Sequence, residues 1–329
     1  MNVLVIGAAG FIGSHLAKKL HSLGHRVCGA DSNSDRAKHV LDKNIPFYSC
    51  DFASQFTVKN VLRSENIELV IQSIGNSSLA KAVANPLKCY MTNVIGNIFL
   101  LDSIAGESVS KFMYISSSSV FGEVDKMPID GNSVRCPINP IGNAQLFMEN
   151  ALESLRVSNG LSYAIVRASN IAGMSEMESE YFVKHPGSGL IPSIVKQITG
   201  EIDAVDIFGV TYDTIDSTAE RDYVHVDDFC SACANVIPKL LVKGEGVSYN
   251  IGSGKKYSVK EVISCAEEIF GVKIKTKDGL QRVGDASRLY FDTNRARNDL
   301  DWAPKYDSLP LILKTMLPYY AGQQKERAS

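Results

Sequence analysis

The chain has 329 residues, room for roughly two domains of about 150 residues each or for one large α/β unit. Hydrophobic residues make up 45% and charged ones 21%, a globular balance that excludes a disordered tail, a collagen-like repeat and a coiled coil. Lys plus Arg number 34 against 36 Asp plus Glu, a net charge of -2, so no overall positive field exists to hold nucleic acid or anionic lipid.

The first elements in chain order are five β-rich runs, at Asn2–Ile6, 26–30, Phe47–Ser49, 69–73 and 112–116, each followed by an amphipathic segment. Their apolar residues do not alternate cleanly with polar ones, which implies burial on both faces and hence a parallel sheet between helices, joined by right-handed crossovers. A helix over about 141–157 and a strand at 163–168 continue the pattern. Beyond Gly173 the rhythm loosens: a helix ends at Thr199, a strand follows at Val205–Phe208, and a polar loop runs over 211–220. Further helices are expected at 226–241, Val259–Phe270, Asn294–Leu300 and 309–320, with a frayed tail at 323–329. The fold class is α/β, a doubly wound parallel sheet with a smaller C-terminal lobe. The approximate division is 1–173 for the sheet-bearing domain and 174–329 for the smaller lobe, with the chain free to cross between them.

No apolar stretch approaches the roughly 18 residues needed to cross a bilayer, and no basic region precedes the first apolar run as in a secretion signal. A cytoplasmic location is expected. The seven cysteines, odd in number and scattered, read as reduced thiols rather than a disulfide framework.

The sharpest local signal is Gly7-Ala8-Ala9-Gly10-Phe11-Ile12-Gly13, placed between a strand and a helix. Gly7 permits the tight turn, Gly10 lets the backbone approach a pyrophosphate, and Gly13 lets the helix pack on the sheet. The helix N-terminus then offers free N–H groups and partial positive charge to phosphates. Asp31, at the end of the second strand, reads either as the acceptor for both ribose hydroxyls, which favours NAD over NADP, or as a helix N-cap ahead of Asp35 and Arg36. Asp51 reads as a partner for the adenine amino group or as a turn cap.

Other motifs follow in order: Asn93-Val94-Ile95-Gly96, Ser116-Ser117-Ser118-Ser119-Val120-Phe121-Gly122, Arg167-Ala168-Ser169-Asn170, the octet Arg221 to Asp228 (RDYVHVDD), Tyr249 to Gly254 (YNIGSG), and Arg282-Val283-Gly284-Asp285. With the glycine cradle, this ordered set resembles the extended short-chain dehydrogenase/reductase superfamily, and most of all its UDP-sugar 4-epimerases. The resemblance implies a modified Rossmann fold with an NAD-binding domain over 1–173 and a nucleotide-sugar-binding lobe over 174–329, and NAD held by Gly7, Gly10, Phe11, Ile12, Gly13, Asp31, Asp51, Phe52, Asn93 and Gln145. It implies a UDP-sugar held by Ser117, Asn170, Leu190, Arg221, Arg282 and Asp285, a role in polysaccharide biosynthesis, and a homodimer built on a four-helix interface from the apolar face of Val94, Ile98, Leu101, Leu146, Met148 and Leu152. The chemistry of the set is sound in itself, since guanidinium forks match a diphosphate and a carboxylate matches a ribose diol. Arg221 and Arg282 also read as surface salt-bridge partners.

The resembling family performs its chemistry with Tyr-x-x-x-Lys on a helix, where i, i+4 spacing puts both side chains on one face. There lysine lowers the tyrosine pKa from about 10 so that a phenolate takes the proton from a sugar hydroxyl. In the segment Asn139-Pro140-Ile141-Gly142-Asn143-Ala144-Gln145 the tyrosine position is Ile141 and the lysine position Gln145. Isoleucine moves no proton, and glutamine hydrogen-bonds ribose without supplying charge. Gln72 stands where the family commonly has histidine, and Phe121 where it has tyrosine. Ser117 keeps the position of the family's catalytic Ser/Thr, although a serine run at a strand end also serves to satisfy backbone groups. Three readings stay open: an active nucleotide-sugar enzyme using another base such as Glu123 or a water; a protein binding NAD and a UDP-sugar without fast turnover, as scaffold, sensor or partner of an active paralogue; and one that kept NAD and changed its second ligand.

Cys230-x-x-Cys233 lies within a helical pattern with no second ligand pair, so no metal is expected; His225 reads as a packed structural residue. Asn76-Ser77-Ser78 is a glycosylation sequon in form only.

Overall fold

The computed structural model describes residues 1–75, 78–176 and 179–320; Asn76 and Ser77 of the sequon and the 323–329 tail lie outside the described residues. Six runs of largely β-branched and aromatic residues form parallel strands: β1 (Asn2–Ile6), β2 (Arg26–Asp31), β3 (Phe47–Ser49), β4 (Leu69–Gln72), β5 (Lys111–Ser117) and β6 (Ser162–Ala168). The chain then leaves through β7 (Asn170–Ala172), β8 (Val205–Phe208) and β9 (Glu220–His225), and returns at β10 (Gly246–Ile251), which pairs with β6. The sheet order is β10-β6-β5-β4-β1-β2-β3.

Side-chain alternation divides the core. Val3 and Val5 join Leu69 and Ile71 on one face, against Leu16, Ala17 and Leu20 of the helix Phe11–Ser22 and Phe229, Cys230 and Cys233 of the helix Val226–Val236. Leu4 and Ile6 join Val70 and Phe112 on the other, against Leu62, Leu101, Met148 and Leu152. The part of the chain after β6 has its own cluster around Ile194, Val262, Ile312 and Tyr223, organised by β9, which pairs with β7, β11 (Lys256–Ser258) and β13 (Arg288–Leu289). β12 (Thr276–Gly279) pairs with β8. A small cluster of Val120, Phe121, Ile129, Ala286, Leu289 and Phe291 joins the segment after β5 to the segment around β13.

Three expectations need correction. The 226–241 helix is α-helical only to Val236; Ile237–Leu241 tightens to 3₁₀ because Pro238 has no N–H to donate. The 309–320 helix divides into Leu309–Lys314 and Leu317–Tyr320, with Pro318 again withholding a donor. The polar stretch 211–220 ends in a strand, because the charged side chains of β9 are satisfied inside the lobe: Asp222 accepts from Ser253 N and Oγ, at 2.9 and 2.8 Å, and from Gly254 N. A Cβ on Gly252 would stand 2.1 Å from that carboxylate, which is why the YNIGSG motif carries a glycine there. His225 is fully buried, as its motif suggested, and caps the helix that follows by accepting from Asp227 N. No helix among the described residues is long and apolar enough to cross a membrane.

Candidate functional site

From β1 the chain winds outward through β2 and β3, then restarts on the other side with β4, β5 and β6, so a crevice opens at the carboxyl ends of β1 and β4. Gly7 ends β1 with φ +87°, a conformation that favours glycine. A Cβ on Gly13 would sit 2.1 Å from the Gly7 carbonyl oxygen, so the third glycine lets the helix press onto the turn. Gly10 is the N-cap and brings no capping side chain, leaving the first-turn amides to an anion. Asp31 is buried beside this loop; its carboxylate accepts from Ala9 N at 3.2 Å and Asn33 N at 2.9 Å. The following helix is capped by Asn33, not by Asp31. Asp51 is exposed and accepts from Ala53 N, while Phe52 lies on Gly96, where a Cβ would come within 2.7 Å of the ring. Phe11 stacks edge-on with Phe182, at 5.2 Å, so the short helix that carries Phe182 reaches to the cradle.

Along the crevice floor Gln72 is fully buried; its amide donates to Ile74 O and to Asn97 Oδ1, and Asn97 donates to the carbonyl of Asn93, within the π turn Met91–Ile95. Gln72 Oε1 and Gln145 Oε1 are buried acceptors without a partner. Leaving such an atom unmet costs about 1–3 kcal/mol, so both suit a ligand rich in hydroxyl and amide donors. The glycine cradle, the Asp31 carboxylate and these acceptors together fit a dinucleotide.

Gly142 sets the helix Pro140–Asn159 against the turn after β5, since a Cβ there would meet Ser119 O at 2.2 Å. That approach brings Ser117 and the positions 141 and 145 to one end of the crevice. Ser117 Oγ accepts from Ser119 N at 3.1 Å and donates to Ser119 Oγ. Ile141 is buried against Ala82 and Cys89. Beneath them Glu149 accepts from Ser116 Oγ at 2.7 Å, from Arg135 at 2.8 Å and, bidentately, from Arg167 at 2.9 and 2.8 Å. Burial pushes Glu149 up, yet the bonds and charge of Arg167, with Ser116 and Arg135, prevail and hold it below the ordinary value. Arg167 in turn lies over the ring of Phe121.

Between β9 and the segment before β13, Asp285 gathers two arginines: Arg221 Nη2 reaches Oδ1 at 2.6 Å, and Arg282 Nε and Nη2 reach Oδ2 at 2.9 and 2.6 Å. Arg221 is only 12% exposed and so is no surface salt-bridge partner. Arg282 also covers the Phe208 ring at 4.7 Å. Asn170 meets Tyr223, and Leu190 opens a helix behind Gly189. Glu123 is engaged by Ser287, whose N and Oγ donate to its two carboxylate oxygens.

The model of the NAD dependent epimerase/dehydratase family matches residues 3–252. The chain belongs to this family. Its cofactor is accordingly NAD, in keeping with Asp31 at the end of β2. The UDP-glucose 4-epimerase of Lactobacillus helveticus is 32% identical over 325 residues, covering 99% of this chain and 98% of that one. Among solved structures, a Bifidobacterium longum UDP-glucose 4-epimerase in complex with NAD+ and UDP superposes with a TM-score of 0.89, at 28% identity and 99% coverage of both chains. One from Stenotrophomonas maltophila, with bound NAD and formylated UDP-arabinopyranose, gives 0.88 at 26% identity over the whole of both.

The structure thus gathers sequence-derived residues into two groups, the cradle with Asp31 and the Arg221–Asp285–Arg282 assembly. Sequence reasoning missed Phe182 over the cradle, Asn97 beneath Gln72, and Asn139. The last was legible: Asn before Pro140 is an N-cap and N1 signature, and Asn139 Oδ1 does accept from Gly142 N. Phe182 carried no local signal, since its contact is made across the fold. Among the described residues no group of three or more His, Cys, Asp or Glu is gathered as for a metal ion. A cavity of about 200 Å³ lined by Leu101, Val109, Leu161 and Lys243 lies at the opposite, amino end of β5, away from this chemistry.

Proposed function

We propose that this chain binds NAD and a UDP-sugar in the manner of the UDP-sugar 4-epimerases, with the proton-transfer pair of that chemistry replaced by Ile141 and Gln145. The observation that supports the reading is a contrast: the glycine cradle and the Arg221–Asp285–Arg282 assembly are both formed, while Ile141 is buried in an apolar contact with Ala82 and Cys89. NAD, when bound, supplies the hydride acceptor and donor at C4 of the sugar. On this reading Gly7 to Gly13 and Asp31 hold its phosphates and adenosine ribose, and Gln145 offers its unmet Oε1 to a hydroxyl donor. Arg221 and Arg282 grip the diphosphate, and Asp285 orients both guanidiniums. Ser117 presents a hydroxyl at the end of β5 that donates to Ser119 Oγ rather than to a base. Glu123 is a poor substitute base, since both of its oxygens are taken by Ser287.

That occupancy favours binding without fast turnover, as scaffold, sensor or partner of an active paralogue, over recruitment of another base. A cytoplasmic homodimer with a place in polysaccharide biosynthesis completes the proposal. The test is to assay the protein with UDP-glucose, UDP-galactose and their N-acetyl forms, beside the Ile141→Tyr/Gln145→Lys variant. Native epimerisation is expected to be undetectable or slow, and the variant faster by about a hundredfold, a usual worth of a positioned acid–base group. Brisk native turnover that survives Ser117→Ala would overturn this account.

A further inference from the structure

The segment that carries Arg282 and Asp285 runs between β12 and β13, and β13 is only two residues long, so the sheet does little to fix it. Arg221 holds it from the substrate lobe, donating to the carbonyls of Ala286 and Ser287. The other half of the chain holds it too, through two side chains. Asn139 donates from Nδ2 to Gly284 O at 2.9 Å, and Glu123 accepts from Ser287 N at 2.7 Å and Ser287 Oγ at 2.8 Å. Gly284 has φ +75°, and a Cβ on it would lie 2.8 Å from Ile138 O and 2.9 Å from Asn139 Cβ, so the glycine of the RVGD motif is what lets the segment dock on Asn139. Asn139 acts at two ends, since its Oδ1 caps the helix that bears Ile141 and Gln145.

We propose that Asn139 and Glu123 are positioning residues for the nucleotide diphosphate: together they pin Gly284 and Ser287 from the Rossmann half, so that the intervening Asp285 and the neighbouring Arg282 meet the ligand already in place. This deepens the preceding section and rests on its assignment of Arg221, Arg282 and Asp285 to the UDP-sugar. Preorganisation of this kind acts on affinity, because a loop that must be ordered on binding subtracts that cost from the contacts it makes.

The test measures UDP binding by calorimetry to NAD-loaded protein. Asn139→Ser keeps a side chain able to cap the helix but is too short to reach Gly284. It is expected to weaken UDP by about tenfold, roughly the worth of one well-placed hydrogen bond with the order it imposes. Glu123→Ala and Ser287→Ala are expected to weaken it several-fold, while Glu123→Gln, which retains an acceptor for Ser287 N, stays within about twofold of the native protein. NAD retention and the thermal midpoint are expected to hold in Glu123→Gln and Ser287→Ala, which a general loss of folding would not allow. UDP affinity unchanged in both Asn139→Ser and Glu123→Ala overturns the proposal. If the native protein retains NAD but binds neither UDP nor a UDP-sugar, and Arg282→Ala makes no difference, it is the assignment of the site that has failed, and the positioning role falls with it.

Discussion

Glu149 shows how a single carboxylate fixes the geometry of a cleft it does not line. Its side chain is wholly buried, four residues beyond Gln145 on the same helix, and it accepts from Arg167 on β6, Ser116 on β5 and Arg135 in the segment between. An ion pair in such a place owes its stability to being complete; remove one partner and the other charge is left desolvated. Glu149→Gln turns an acceptor pair into one acceptor and one donor, and the donor faces a guanidinium. We expect the variant to be about 3–5 kcal/mol less stable, read as a lower urea midpoint, with the loss concentrated in the packing of the helix Pro140–Asn159 on β5 and β6. A midpoint within experimental error of the native protein would mean that Arg167 finds its counterion elsewhere.

At the scale of elements, the helix Val226–Val236 depends on a neutral imidazole. His225 Nδ1 accepts from Asp227 N at 3.1 Å, so the proton resides on Nε2, which faces Met174 O and Thr315 Oγ1, each at 3.2 Å. Tyr306 stacks at 4.0 Å, and the Asp227 carboxylate stands 3.8 Å from Nδ1, with Asp228 also nearby. Burial lowers the pKa more than Asp227 and Asp228 raise it. A histidine whose folded pKa lies below the unfolded value near 6.5 contributes stability that is fully present above that value and is lost as the pH falls through it, at up to about 1.4 kcal/mol per unit. Urea midpoints at pH 7.5 and 5.5 should therefore diverge more in the native protein than in His225→Asn, which keeps a capping side chain and does not titrate. Equal drops would remove His225 as the cause. The same element explains what could be read in advance. β1 to β6 were legible because buried parallel strands are nearly uninterrupted apolar runs, and the glycine cradle because turn and close approach each demand a particular residue. β9 was not, because Glu220, Arg221 and Asp222 resemble a solvated loop until Ser253, Gly254, Lys256 and Asp285 are brought to them by the fold.

For the molecule as a whole, the division between inner and outer faces of the helices bears on assembly. Leu101, Met148 and Leu152, expected on the outward face, belong to the chain's own core, where they pack on β5 and β6. Apolar residues left outside include Met91, Ile95, Ile98 and Phe99 on one helical stretch and Phe147 on the neighbouring one; Met91 is 64% exposed and Phe147 46%. The helix Pro140–Asn159 packs beside the Met91–Ile95 turn, which brings the two exposed sets to neighbouring elements. Exposed apolar side chains concentrated on neighbouring helices are costly to leave in water and suit the core of a subunit interface. We expect light scattering at micromolar concentration to give the mass of two chains. Charges placed within the patch, as in Phe99→Glu/Phe147→Glu, should give the mass of one while NAD stays bound, because neither side chain belongs to the cradle. A native protein that already runs as one chain would remove the dimer, and a double variant that still runs as two would move the interface to another face.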